Sequence, residues 1–264
     1  YKINFNHAIQ KQALHLLNQI DKIKNYHTRL IGVSAIILVG LAYNNKKQLI
    51  FGGLDYLKRN IRHTLDNYGF PKSRSINSAI FFLKYLILIR EWFKESQTEI
   101  PDFIDENIFY LGQSYAFFWR NINFDPLFNG NNISNNHNFD LYLKRLGYSF
   151  KNEDSELSDY IILKSKKINI IMDAGPSPLR KFSNNYQAGA LSFEFVSNGK
   201  KIFTNSGYYN KDDHNLNELS RSSATHNILV IDDNSSCKFK KNRDLEWEIK
   251  EGLKITKKKI INEK

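Results

Sequence analysis

The sequence predicts an α+β chain, with a helical N-terminal half over residues 1–148 and an antiparallel β-sandwich over residues 149–264. Two observations carry this. Apolar residues recur at helical spacing as far as about residue 148, and beyond it the period falls to two, in short runs separated by Asn, Gly, Asp and Ser. A 264-residue chain with 41% hydrophobic and 14% aromatic residues is large and apolar enough to bury a core in each half.

The first helix is expected over 7–23, where Ala8, Ala13, Leu14, Leu17 and Ile20 share one face. The next, over 27–43, is apolar nearly all round, as a helix packed between others would be. Segments 48–67, 75–93 and 101–119 continue the pattern, with Pro71 and Pro101 at helix starts, where a missing N–H costs little. Such helices joined by short polar links form antiparallel hairpins, stacked as a bundle or curved into an α/α toroid. The Asn- and Gly-rich stretch 128–137 is a loop, and a short helix is expected over 139–146. Strands are expected over 160–164, 168–173, 190–196, 201–204, 226–232, 246–250 and 253–256, with no helix between them. That pattern argues a sandwich. The chain begins with Tyr1, and its C-terminal Lys-rich end stops in mid-pattern, so both domains are expected to be incomplete pieces of a longer protein.

Composition narrows the function. A net charge of +11 attracts polyanions, although a Lys-rich solvated surface accounts for it equally well. The single Cys237 excludes an intramolecular disulfide and a cysteine-based zinc site. No apolar run reaches the roughly 20 residues of a membrane span. No helix-turn-helix, aromatic RNA-binding motif or basic stripe supports a nucleic-acid partner.

The densest motif is Tyr186-Gln-Ala-Gly-Ala-Leu-Ser-Phe-Glu-Phe195, followed by Thr204-Asn-Ser-Gly207 and Arg221-Ser-Ser-Ala-Thr-His-Asn227. Upstream stand His27-Thr-Arg-Leu30, Asp66-Asn-Tyr-Gly-Phe-Pro-Lys-Ser-Arg74, Leu127-Phe-Asn-Gly130 and Asp173-Ala-Gly-Pro-Ser-Pro178. In this order they resemble the heparinase II/III-like polysaccharide lyases, in particular their alphaproteobacterial members. The resemblance runs from about residue 25 to 236. It implies an α/α toroid followed by the sandwich, and a carbon–oxygen lyase that cleaves uronic-acid polysaccharides by β-elimination. The implied partner is an acidic polysaccharide or oligosaccharide, met in the bacterial cell envelope or periplasm.

That reaction needs a base for the C5 proton, an acid for the leaving oxygen and a donor for the uronate carboxylate. By resemblance His226 is the leading catalytic residue, joined by His27 and by Tyr68, which sits on the turn before Arg74. The family's acid tyrosine falls at Ser78 here. Arg29, Arg74, Gln187, Asn205, Arg221 and Asn227 are the candidate substrate-binding residues, since guanidinium and amide groups suit carboxylates and hydroxyls. The two helical-half arginines suit inter-helix salt bridges equally well. In some relatives the best-retained histidine, here His226, is a zinc ligand. Relatives commonly carry His at the place of Gln187, and many have Asp at the place of Asn205. Two neutral amides and one imidazole are a poor zinc set, so no metal and no cofactor are expected. These departures also support a second function, a catalytically impaired relative that binds anionic glycan or assists cell-envelope polysaccharide metabolism.

Overall fold

The computed structural model describes residues 2–43, 46–120, 124–132, 137–209 and 214–257. Part of the loop expected over 128–137, and the basic end beyond residue 257, lie outside the described residues. The chain is α+β, with helices through its first half and antiparallel strands through its second.

Contacts divide it into two compact units. The first comprises residues 1–70 and 78–112, the second residues 71–77 and 113–264. In the first unit, α1 (Lys2–Gln19), α2 (Tyr26–Ala42), α3 (Lys47–Thr64), most of α4 (Ile76–Glu95) and most of α5 (Asp102–Tyr115) follow the expected helices. Leu30, Val33, Ile36, Ile37, Leu57 and Leu83 form much of its buried apolar interior. Asn25 starts α2 by accepting the N–H groups of His27 and Thr28, both at 3.0 Å, as an N-cap side chain should.

The second unit opens with the Pro71–Asn77 turn, takes in a π-helical turn at Ala116–Arg120, and adds α6 (His137–Arg145). Then comes an antiparallel meander of β1 (Glu156–Leu157), β2 (Tyr160–Lys164), β3 (Ile168–Asp173), β4 (Phe193–Ser197) and β5 (Lys200–Phe203), in that spatial order. A hairpin of β6 (Lys238–Lys241) and β7 (Trp247–Glu251) completes it. Phe118 and Phe128 pack edge-on to Tyr160, with ring centroids 5.0 and 5.8 Å apart. Tyr186, Ala188, Cys237 and Ile249 close a smaller core beneath the hairpin.

Three expectations are corrected. The strand expected over 253–256 does not form, since the last described strand, β7, ends at Glu251. A helix does lie among the strands, α7 (His214–Arg221). The strand expected over 226–232 does not form. Its apolar residues Leu229 and Ile231 are 84% and 65% exposed, and the segment makes only an isolated bridge from Ile231 to Asn234. An extended run without a neighbouring strand has no ladder to satisfy its backbone, whatever its composition.

Candidate functional site

In the first unit, the cap at Asn25 sets the direction of two candidates. His27 packs against Phe81, with ring centroids 4.5 Å apart, and also against Tyr26. Burial lowers its pKa to about 4, so the imidazole is neutral at pH 7. Arg29, two residues on and therefore on another face of the helix, turns back instead. Its Nε and Nη2 donate to the Ile23 carbonyl. Tyr68 rides on a turn in which Asp66 accepts the N–H groups of Tyr68 and Phe70, and its side chain is among the most exposed of the large apolar residues. The first unit also carries a surface cavity lined by Ile50, Phe51, Phe93 and Ile100, which holds none of the candidates.

In the second unit, Arg74 and Asp173 form the centre of a buried polar network. The Arg74 Nη2 donates to Asp173 Oδ1, and Nη1 donates to the Ser158 carbonyl at 3.0 Å. Asn129, from the Leu-Phe-Asn-Gly turn, offers its amide to both Asp173 Oδ2 and Tyr160 Oη at 2.6 Å. Tyr160 donates in turn to the Arg74 carbonyl. Burial opposes the Arg74 charge, but the Asp173 carboxylate outweighs it and holds the guanidinium above its ordinary pKa. Burial also pushes the Tyr160 phenol well up. Gly175 belongs to this arrangement, since a Cβ there would lie 2.1 Å from the Arg74 guanidinium carbon. Arg74 is thus committed to a carboxylate of its own chain.

The signature segment supplies the rest. Gln187 is wholly buried. Its carbonyl accepts the Gly130 N–H at 3.1 Å, and its amide nitrogen donates to the carbonyls of Gly207 and Ser220 at 3.1 and 2.6 Å. Arg221 is also buried and meets neutral oxygens, donating to Asn217 Oδ1, the Tyr186 carbonyl and the Tyr208 hydroxyl. Tyr208, Trp247 and Phe239 place their rings 5.1 to 5.9 Å from the guanidinium. Burial lowers its pKa. Asn205 Oδ1 accepts the Asn227 N–H at 3.0 Å, and the Asn227 side chain donates to the Phe193 carbonyl.

His226 follows a single 3-10 turn, Ser223–Thr225. Its Nδ1 lies 2.9 Å from the Ser222 carbonyl, a contact that requires Nδ1 to carry the proton. Nε2 is then a lone-pair nitrogen; it is buried, and among the described residues it has no hydrogen-bond partner. Burial lowers the pKa of the ring, so it is neutral at pH 7. The ring lies so close to Gly189 that a Cβ there would be 2.8 Å from Cδ2 and 3.2 Å from Nε2. The hydroxyl of Ser192 stands 3.0 Å from the same point, buried and likewise without a partner among the described residues.

The structure therefore gathers Gly189, Ser192 and His226 at one place, with Asn205 joined to it through Asn227. Arg74 and Arg221 sit in networks of their own. Ser192 and Asn129 were missed by sequence reasoning. Ser192 lies just before β4, two residues from Glu194, a spacing that the alternation expected over 190–196 would have put on one face. Among the described residues, no three His, Cys, Asp or Glu side chains converge to hold a metal.

Residues 152–260 match the family model described as Heparinase II/III-like, C-terminal. Among solved structures, the chain is similar to a mutant of the heparan sulfate lyase HepC from Pedobacter heparinus, with a TM-score of 0.70 and 14% identity over 88% of this chain and 41% of that one. It is similar also to heparinase III, with a TM-score of 0.68 and 17% identity over 88% of this chain and 43% of that one. At these identities the likeness is one of fold, and the chain spans about two fifths of either structure. A search of curated proteins found no match.

Proposed function

We propose, from the premise that residues 152–260 belong to the heparinase II/III-like C-terminal family, that the chain is part of a polysaccharide lyase acting on an acidic, uronic-acid-containing glycan. The observation that carries this reading is the state of His226. Its Nδ1–H is fixed on the Ser222 carbonyl, and its neutral ring keeps a lone pair on Nε2. That is the form of imidazole able to take the C5 proton of a uronate in β-elimination, and because Nε2 is buried this reading requires substrate binding to uncover it. Asn227, beside it, anchors the segment to β4 and so holds the ring's position. Similarity to a heparan sulfate lyase supports a sulfated glycosaminoglycan as the first substrate to try.

A second reading is favoured by the engagement of Gln187 and Arg221, whose side chains bind their own backbone or neighbouring side chains. On this reading the protein binds anionic glycan without cutting it. The test offers heparan sulfate, chondroitin sulfate and alginate to the purified chain and follows the absorbance of unsaturated uronate. A rise that is abolished by His226→Ala supports the lyase. Binding without a rise supports the second reading, and neither binding nor turnover by the folded chain removes both.

A further inference from the structure

The positions that resemble the zinc ligands of some relatives hold Gln187, Asn205 and His226, and their geometry does not fit the metal. Zinc takes lone pairs from imidazole, thiolate or carboxylate. The Gln187 nitrogen is a donor already committed to two carbonyls, and its oxygen already receives a backbone N–H. The Asn205 oxygen receives the Asn227 N–H. Of the three side chains, His226 alone has an acceptor atom that no hydrogen bond engages.

We propose that Gln187 takes over the mechanical work a metal would do, tying together with one amide three segments distant in sequence. Its partners are Gly130, Gly207 and Ser220, at separations of 57, 20 and 33 residues. They belong to the turn after Phe128, the turn after β5 and the last turn of α7. A primary amide meets this demand because it carries two N–H donors and a carbonyl acceptor in one plane. A neutral imidazole has one donor and one acceptor, so a histidine at 187 would make at most two of these three ties, leaving one carbonyl to its remaining hydroxyl donor, Ser206 on Gly207 or Thr225 on Ser220. A ligand histidine needs its metal for cross-linking. Glutamine at this position cross-links without one, which makes the ties around His226 independent of zinc and of chelators.

The inference rests on the family reading only for the correspondence of positions 187, 205 and 226 with ligand positions. No arm of its test reads lyase activity, so a chain without turnover would leave it standing. The test measures the zinc content of the purified chain and its thermal unfolding with EDTA or added zinc. Substoichiometric zinc and an unchanged Tm are expected. Gln187→His should lower Tm by roughly 2–6 °C in the presence of EDTA. The double variant Gln187→His, Asn205→Asp should recover part of that loss when zinc is supplied. Stoichiometric zinc in the natural chain, or a fall of its Tm in EDTA, would overturn the proposal even if no variant folds. A Gln187→His variant as stable as the natural chain, or a double variant indifferent to zinc, would overturn it as well.

Discussion

His27 sets burial directly against ionisation. An unfolded histidine titrates near 6.5, while the folded imidazole, held among Tyr26, Phe81 and Phe82, titrates at about 4. Between those values the unfolded chain binds a proton that the folded chain refuses. Stability therefore falls as pH drops from about 6.5 to about 4 and loses nothing more to this group below that. The shift corresponds to a loss on the order of 3 kcal/mol. His27→Phe keeps an aromatic ring and removes the proton, so the pH 7 to pH 4.5 loss in urea-unfolding free energy should be smaller in the variant by about that amount. Equal losses in the two proteins would show that His27 is not held neutral. Gly175 makes a steric test. Alanine there places its Cβ against Arg74 and forces the guanidinium from Asp173, and separating a buried ion pair costs about 3–5 kcal/mol. The urea midpoint of Gly175→Ala should fall accordingly, and an unchanged midpoint would refute the fixed placement of Arg74.

At the scale of elements, β4 shows what alternation reveals and what it hides. Phe193 and Phe195 face one way, while Glu194 and Val196 face the buried side, with Glu194 opposite Ile171 of β3. A carboxylate survives there because it accepts from the Leu127 and Asn205 N–H groups and from the Thr204 hydroxyl, with the Lys201 ammonium 3.4 Å away. Glu194→Gln keeps the shape but turns an NH2 toward one set of donors, at a cost of about 2–3 kcal/mol. Denaturant unfolding should show that loss, and a neutral result would mean that the side chain is simply solvated. The helices and β2, β3, β5 and β7 were legible because their periodicity is local. Helix α7, rich in polar residues, and β6, in which three of four residues are lysine, carry little apolar signal and form through partners elsewhere. The run at 228–231 failed for the converse reason, having strand composition and no neighbour. The site divides in the same way. His226 was legible from its motif, whereas the engagement of Gln187 depends on backbone groups dozens of residues away that its own neighbours do not announce.

Across the whole molecule, the net charge of +11 bears on binding more than on chemistry. Retention on immobilised heparan sulfate should fall between about 0.05 and 0.5 M salt as the Debye length shrinks. His226→Ala should keep that salt dependence, because the ring is neutral at pH 7. A salt-insensitive interaction would set the surface charge aside. The course of the chain between its units supplies the sharper test. It leaves the first unit at residue 70, returns at 78 and leaves again at 112, so the second unit is assembled from two separate stretches. A fragment cut at the change of period, residues 149–264, would contain every expected strand. It would also strand several buried groups. Asp173 would lose Arg74 and Asn129, Gln187 would lose the Gly130 N–H, Glu194 would lose the Leu127 N–H, and Tyr160 would lose Phe118 and Phe128. Each orphaned buried polar group costs about 1–3 kcal/mol, and an unpaired buried carboxylate more, against a stability of about 5–15 kcal/mol for a typical domain. The fragment should lack a cooperative thermal transition and dispersed amide signals, while the whole chain shows both. A fragment 149–264 that melts cooperatively near the temperature of the whole chain would mean that the strands carry their own fold and that Arg74 and Asn129 are dispensable to it.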